Sequence, residues 1–387
     1  MMVAMQRDSH NRQSFEQISC EFVGEFNTSA FQIALDQLFS SQPILRSSFD
    51  YQGIEPLQIV HQEYDISISL EDWCARELDK EQALIEFVEN QRAIGFGLEE
   101  KSLHRFFLIR LDQQRTYFLW CQDHRQLDGW SLPIVLKQLF AFYNQALQGK
   151  ALEPINTAQV DSYYLAYLDS LAKQDAQLDN AFWKEQLAEL NASESLPLLG
   201  LSATDGKNRN HSYDSQRFFM RLGIDDSDQI RHFCRSQNIT IATLVQGAWA
   251  LLLSQSTDTT NKDIEQLFGV TLSGRDNGIE NIQHVVGMMI NTLPLRVSTN
   301  SDQNLGDWLR SIQSNVNALQ KYTHCSLAEI QSIYQSINQN NPNQPLINTA
   351  VVVENYPVES SMSDEIDGFA ISNVNACLLY TSDAADD

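Results

Sequence analysis

The residues with most chemistry to offer lie between Thr116 and Ser131, TYFLWCQDHRQLDGWS. Tyr117 to Cys121 is apolar enough for a buried strand, and it leads into a polar corner holding Asp123, His124, Asp128 and Gly129. A histidine and a carboxylate delivered to the end of a buried strand beside a glycine suit proton transfer, because imidazole titrates near neutral pH. The same residues admit a plainer reading, with Asp128-Gly129 as turn chemistry and His124 as a hydrogen-bonded core histidine. Downstream, Leu132, Val135, Leu136, Leu139, Phe140 and Tyr143 fall at helical spacing. A strand, a polar corner and an amphipathic helix would therefore hold the group in place.

The preceding chain supplies partners for that strand. Gln17 to Val23 reads as a strand, and Asn27 could cap a helix through Phe39 with Phe31, Leu35, Leu38 and Phe39 on one side. Pro43 to Phe49 leads into a second strand, and Leu57 to Ile68 reads as one or two more. A charged helix is expected from about Cys74 to Ala93, and a strand over Phe106 to Leu111. From Gln148 to Gln159 the chain turns linker-like, with Gly149, Pro154 and Asn156. Beyond it come a helical stretch, Ser162 to Leu190, a polar loop over Asn191 to Ser215, and a strand at Phe218 to Leu222. Thr240 could cap Ile241 to Leu253, whose all-round hydrophobicity predicts a fully buried helix. A strand Phe268 to Leu272 ending in Ser273-Gly274-Arg275, a helix Leu305 to Lys321 and a strand Leu346 to Glu354 complete a mixed α and β pattern in both halves.

Composition excludes several classes. The 387 residues leave room for two or three domains. A formal net charge of −24 provides no basic stripe for nucleic-acid phosphates. The six cysteines, at 20, 74, 121, 234, 325 and 377, show neither a CxxC pair nor metal-ligand spacing, and they suit a reducing compartment. With no signal peptide and no apolar run long enough for a membrane, a cytoplasmic protein is expected. The other histidines lack an HExxH pattern, so no metal is expected and His324 reads as a loop contact. No phosphate-cradling glycine loop is present, so no nucleotide cofactor is expected either. The ending CLLYTSDAADD reads as a non-native tail over residues 377–387.

Read together, the motifs resemble the condensation domains of nonribosomal peptide synthetases. The family's HHxxxDG is matched by Asp123, His124, Arg125, Gln126, Leu127, Asp128 and Gly129, followed by Trp130-Ser131. Leu45, Arg46 and Phe49 resemble the end of RHExLRTxF, and Asp161 to Leu168 with Phe182-Trp183 is similar to the YxDYxxWL and FW pair. Val286 to Arg296, VGMMINTLPLR, resembles VGxFxNTLPxR, with TLSGR before it; Tyr322, His324 and Leu327 match YxHxPL, and VENYP fits a late segment. The likeness runs from about Phe15 to Asn375, and it implies a domain clipped at both ends.

The resemblance implies an α/β fold of two chloramphenicol acetyltransferase-like lobes in a V arrangement with the active site between them. The lobes would be residues 1–160, carrying DHRQLDG, and an incomplete 161–376. It implies an acyltransferase that forms a peptide bond between a carrier-bound acyl or peptidyl thioester and the amine of a carrier-bound aminoacyl thioester. The partners implied are upstream and downstream peptidyl carrier domains, presenting substrates on 4′-phosphopantetheine, and an adenylation domain of the same synthetase; no bound cofactor is implied. His124 would hold or accept the proton of the attacking amine. Asp128 would pair with Arg275, Gly129 would let backbone approach substrate, and Asn291 would lie near the site. Trp130 and Ser131 would support the motif.

One position departs from the pattern. Asp123 stands where the family has its first histidine. It could simply support the loop through hydrogen bonds. Alternatively, Asp123, Asp128 and Ser131 spell DxxxxDxxS, the mark of heterocyclization domains, although retained His124 and INTLPLR favour condensation. As a third reading, a carboxylate beside His124 would hold it as imidazolium and spoil its use as a base. A non-catalytic docking platform and a stand-alone acyltransferase complete the alternatives.

Overall fold

The computed structural model describes residues 14–53, 56–150, 157–188, 190, 218–255, 263–275, 278–300, 302–337, 346–354 and 368–377. The polar loop expected over 191–215 and residues 378–387 of the expected tail lie outside them, whereas Cys377 ends the last described strand. The chain divides into two compact units, Met1–Asp169 with Ile279–Met289 and Asn355–Asp387, and Ser170–Gly278 with Ile290–Glu354. In this division a short internal segment and the last strand belong to the first unit.

The first unit is built on a five-stranded sheet of order β10-β1-β6-β5-β4. Its strands are β1 (Phe15–Gly24), β4 (Ile68–Asp72), β5 (His104–Arg110), β6 (Arg115–Asp123) and β10 (Phe369–Cys377), with a separate hairpin of β2 (Ser47–Asp50) and β3 (Leu57–Val60). Pairing is antiparallel except for β4 with β5. The period-two alternation sorts side chains between two cores. Ile18, Cys20, Phe22, Phe118 and Trp120 face helices α1 (Thr28–Ser41) and α3 (Ser131–Leu147). Phe15, Tyr117, Leu119 and Cys121 face the other way, packing with Phe87 and Val88 of α2 (Lys80–Ile94). Asn27 caps α1 as expected, its Oδ1 accepting from Ala30 N at 2.9 Å. The charged helix starts later than expected because Asp79, not Cys74, supplies the capping carboxylate.

Between β1 and β10 the backbones come very close. Gly24 has φ +134°, and a Cβ there would sit 2.5 Å from Gly368 O. Only glycine fits such a crossing. The pairing brings Phe369 into the aromatic cluster of Phe22, Phe26, Phe140 and Tyr143.

In the second unit, β8 (Asn291–Asn300), β7 (Asp263–Leu272) and β9 (Ala350–Val351) form a three-stranded sheet in that order. Helices α7 (Ile241–Gln255), α8 (Leu305–Leu319) and α9 (Leu327–Ile337) contribute to its core, together with α5 (Ala176–Leu187). The helical stretch expected over 162–190 is two helices, α4 (Thr157–Ala172), which lies almost wholly in the first unit, and α5. Asp175 begins the second by accepting from Gln177 N and Leu178 N. Helix α6 (Ile224–Gln237) follows the irregular residues 218–223.

Three expectations are corrected here. Phe218 to Leu222 is not a strand, because no described strand supplies the ladder that would satisfy its backbone; Phe218 and Met220 are exposed. Helix α7 is not buried all round: Thr243, Gln246, Gly247, Ala250 and Leu253 face the core while Ile241, Val245, Leu251 and Leu252 are exposed. Of the strand expected at 346–354 only Ala350–Val351 pairs, parallel to β7.

Candidate active site

The site residues sit where β6 runs out of sheet. Asp123 is the last residue of β6, opposite Phe15, and Gln122 lies opposite Glu16. The chain then turns, with Gln126 N donating to Asp123 O at 3.1 Å, and His124 N donates to Ser14 O at 2.6 Å. From Asp123 through Gly129 every residue is buried; Trp130, at the start of α3, is 37% exposed.

His124 Nδ1 lies 2.6 Å from Leu127 O. A carbonyl can only accept, so Nδ1 carries the proton and neutral His124 presents its lone pair at Nε2. Nε2 faces Glu16 Oε1 at 3.6 Å, and both side chains are buried. Glu16 is itself oriented by Gln122 Nε2, 3.0 Å from Oε2. Nε2 and Glu16 Oε1 form an ion pair when His124 is protonated and together offer two acceptors to an N–H donor when it is neutral.

Asp123 is tied into the corner by an ion pair and hydrogen bonds. It forms a two-point ion pair with Arg125, whose Nε and Nη2 lie 2.9 and 2.7 Å from Oδ1 and Oδ2, and Ser14 Oγ donates to Oδ2 at 3.0 Å. The pair is buried, and Phe49 and Tyr51 lie beside the guanidinium, the Tyr51 hydroxyl accepting from Nη1 at 3.2 Å. Burial works against the Arg125 charge, but Asp123 and Tyr51 outweigh it and raise its pKa above the usual arginine value. The Asp123 carboxylate is thus balanced by its own neighbour.

Asp128 is buried and acts as an anchor. Oδ1 accepts from Ser131 N and Oγ at 2.9 and 2.8 Å, fixing the first turn of α3, and Oδ2 accepts from Met289 N at 3.0 Å. Ser131 Oγ also accepts from Gly287 N at 3.0 Å and lies 2.9 Å from Gly287 O, a second acceptor for its single proton. Asp128 and Ser131 therefore fasten the Val286–Met289 stretch to the start of α3. Gly129 has an ordinary φ, so the turn does not itself demand glycine.

Arg275 and Asn291 belong to the second unit. Arg275 is buried just beyond β7, its N donating to Ser273 Oγ at 3.3 Å. Asn291 Nδ2 donates to Thr323 O and Cys325 O at 2.9 and 2.7 Å, shaping the loop that carries His324. His324 Nε2 lies 2.9 Å from Asp179 Oδ2, and Tyr322 stacks on Phe182 with centroids 3.7 Å apart. The FW pair, Asn291, Tyr322 and His324 thus meet in one place. Glu16, Ser14 and Arg125 are site residues that motif reading missed. Arg125 falls at a variable position of the motif, and Glu16 sits among polar residues that alternation alone assigns to no face.

The frame is mixed α/β, and β6 ends beside a buried histidine. The family model of the condensation domain matches residues 1–375, and the chain belongs to that family, the peptide bond-forming acyltransferases of nonribosomal peptide synthetases. It is 32% identical over 351 residues to a subunit of the linear gramicidin synthase of Brevibacillus parabrevis, covering 90% of this chain and 4% of that protein. To a subunit of the mycosubtilin synthase of Bacillus subtilis it is 30% identical, covering 92% of this chain and 13% of that protein. These relatives are multidomain synthetase proteins, of which the chain spans a small part. Among solved structures it is similar to the first condensation domain of the calcium-dependent antibiotic synthetase, with a TM-score of 0.69 at 15% identity, covering 97% of this chain and 82% of that one. Among the described residues no helix is long and apolar enough to cross a membrane.

Proposed function

We propose that this chain joins a carrier-bound acyl or peptidyl thioester to the α-amine of a carrier-bound aminoacyl thioester, with His124 facing the amine. The observation that carries the reading is the His124 Nδ1 contact to Leu127 O at 2.6 Å, which leaves Nε2 as the acceptor. The incoming α-amine has a reference pKa of about 7.7–8, so it arrives partly as ammonium. Glu16 and His124 Nε2 together accept its N–H groups. As nitrogen adds to the thioester carbonyl, His124 takes the proton, and collapse of the adduct expels the thiol of the donor arm. Such a general base contributes on the order of 10²–10⁴ in rate. Asp128, through Ser131 and Met289, keeps the corner in register, and Arg275 is its expected charge partner. Upstream and downstream peptidyl carriers and an adenylation domain are the partners this chemistry requires, with 4′-phosphopantetheine belonging to the substrates.

Heterocyclization uses the same first step and then loses water. The Asp123 contacts to Arg125 and Ser14 speak for a supporting role and against a second catalytic carboxylate. The test is intact mass of a cysteine-loaded acceptor carrier after incubation with donor carrier and this protein. A gain equal to the donor acyl group, absent with His124→Ala, is expected. That gain minus one water assigns heterocyclization; no gain with folded protein across several donors overturns the reading.

A further inference from the structure

We propose that Asp179, His324 and Cys325 of the second unit form a binding site for a thiophilic divalent cation of the zinc class. One donor atom from each lies within 4.8 Å of the others. Four-coordinate zinc, with bonds of about 2.0–2.3 Å, separates its donors by about 3.3–3.6 Å. The His324–Asp179 contact at 2.9 Å therefore has only to open by a few tenths of an ångström, and the thiol to swing inward. Thiolate, imidazole and carboxylate are together a zinc-type donor set, which selects against magnesium and calcium. The two anions balance the charge of a divalent ion.

The surroundings are those of a supported site. Asn291 holds the carbonyls on either side of His324, so the ring and the thiol come from a fixed loop. The Trp183 indole N–H is buried, 1% exposed as a residue, without a conventional acceptor. It lies near the Cys325 sulfur. Metal binding displaces a thiol proton outright. Glu329 is committed elsewhere, accepting from Ser326 N and Oγ at the start of α9. Three protein ligands leave a fourth position open. It faces a groove of about 580 Å³ lined by Asn180, Lys184 and Ser336 as well as the three ligands, so water or an anionic ligand completes the shell.

The experiment is a titration of the chelator-treated protein with Co²⁺, followed by Zn²⁺. A thiolate-to-cobalt absorption in the near ultraviolet, saturating at one equivalent and erased by Zn²⁺, is expected. Cys325→Ser should abolish that band, and Asp179→Asn, which removes one ligand charge, should keep it while weakening affinity. Circular dichroism would confirm that both variants fold. No thiolate band in the unmodified protein, or a band that survives Cys325→Ser, overturns the proposal. The first outcome needs no variant at all.

Discussion

At Asp123, charge balance explains a residue that family pattern alone leaves puzzling. Its carboxylate and Arg125 are 0% and 2% exposed at the side chain and bonded at two points, so each depends on the other. Restoring the usual residue with Asp123→His would leave a buried guanidinium without its anion. A loss of about 3–5 kcal/mol in urea unfolding is expected, much smaller when Arg125→Met accompanies it. A cost below about 1 kcal/mol for the single change would show that the pair is not coupled. Glu16 makes a separate prediction. Glu16→Gln keeps a partner for Gln122 but removes the charge facing His124 Nε2. Losing a charge-assisted hydrogen bond should lower kcat/KM for the amine acceptor by about tenfold to a hundredfold, mostly in its KM. Varying donor and acceptor thioesters separately would check this; equal loss toward both would place Glu16 in general architecture.

Among the elements, what sequence reveals depends on whether a segment's partners are local. β1, β5, β6 and α3 are legible because each buries a regular set of side chains, and Asn27 marks the start of α1 through its cap. The corner at His124 is legible as a motif, but the Glu16 contact arises from strand register, which residue types do not disclose, and the ion pair, though only two residues apart, needs the turn geometry to close. The exposed face of α7 is misread because hydrophobicity reports an affinity for burial, not the presence of something to bury against. The same helix yields a test. Gly247 packs on α8, where a Cβ would meet Leu309 Cδ2 at 2.6 Å and Trp308 Cζ3 at 3.2 Å. An exposed helical Gly→Ala change gains up to about 1 kcal/mol, but overpacking here should reverse the sign and cost about 1–3 kcal/mol. Thermal unfolding of Gly247→Ala would decide, and a raised midpoint would refute the close packing.

Across the molecule, acid sensitivity has an identifiable source in His104. Trp120 Nε1 donates to its Nδ1 at 3.1 Å, and burial, opposed by Gln126, pulls its pKa down to about 3. Folded His104 is therefore neutral where an unfolded chain, with a pKa near 6.5, takes up a proton. Its contribution is complete above about pH 6.5 and is lost as pH falls toward 3, with a slope approaching about 1.4 kcal/mol per pH unit. His104→Gln, which keeps an acceptor for Trp120, should flatten the stability profile between about pH 6 and 4 in urea titrations. An unchanged slope would exclude His104 as the source. The cation cluster belongs to this scale too, since His324 and Asp179 lie 145 residues apart in the chain and no local spacing connects them.

The place of β10 has a consequence for how the protein is made. The strand lying beside β1 is the last one described, so β1, whose partner β6 is complete by Asp123, waits for Phe369 before its other edge is covered. At ribosomal speeds of about 5–20 residues per second, the interval lasts on the order of tens of seconds. Throughout it the nascent first unit carries an open sheet edge and an aromatic cluster lacking one ring. The interval is when a chaperone would matter most, and when an identical edge on a neighbouring ribosome would be the most dangerous encounter.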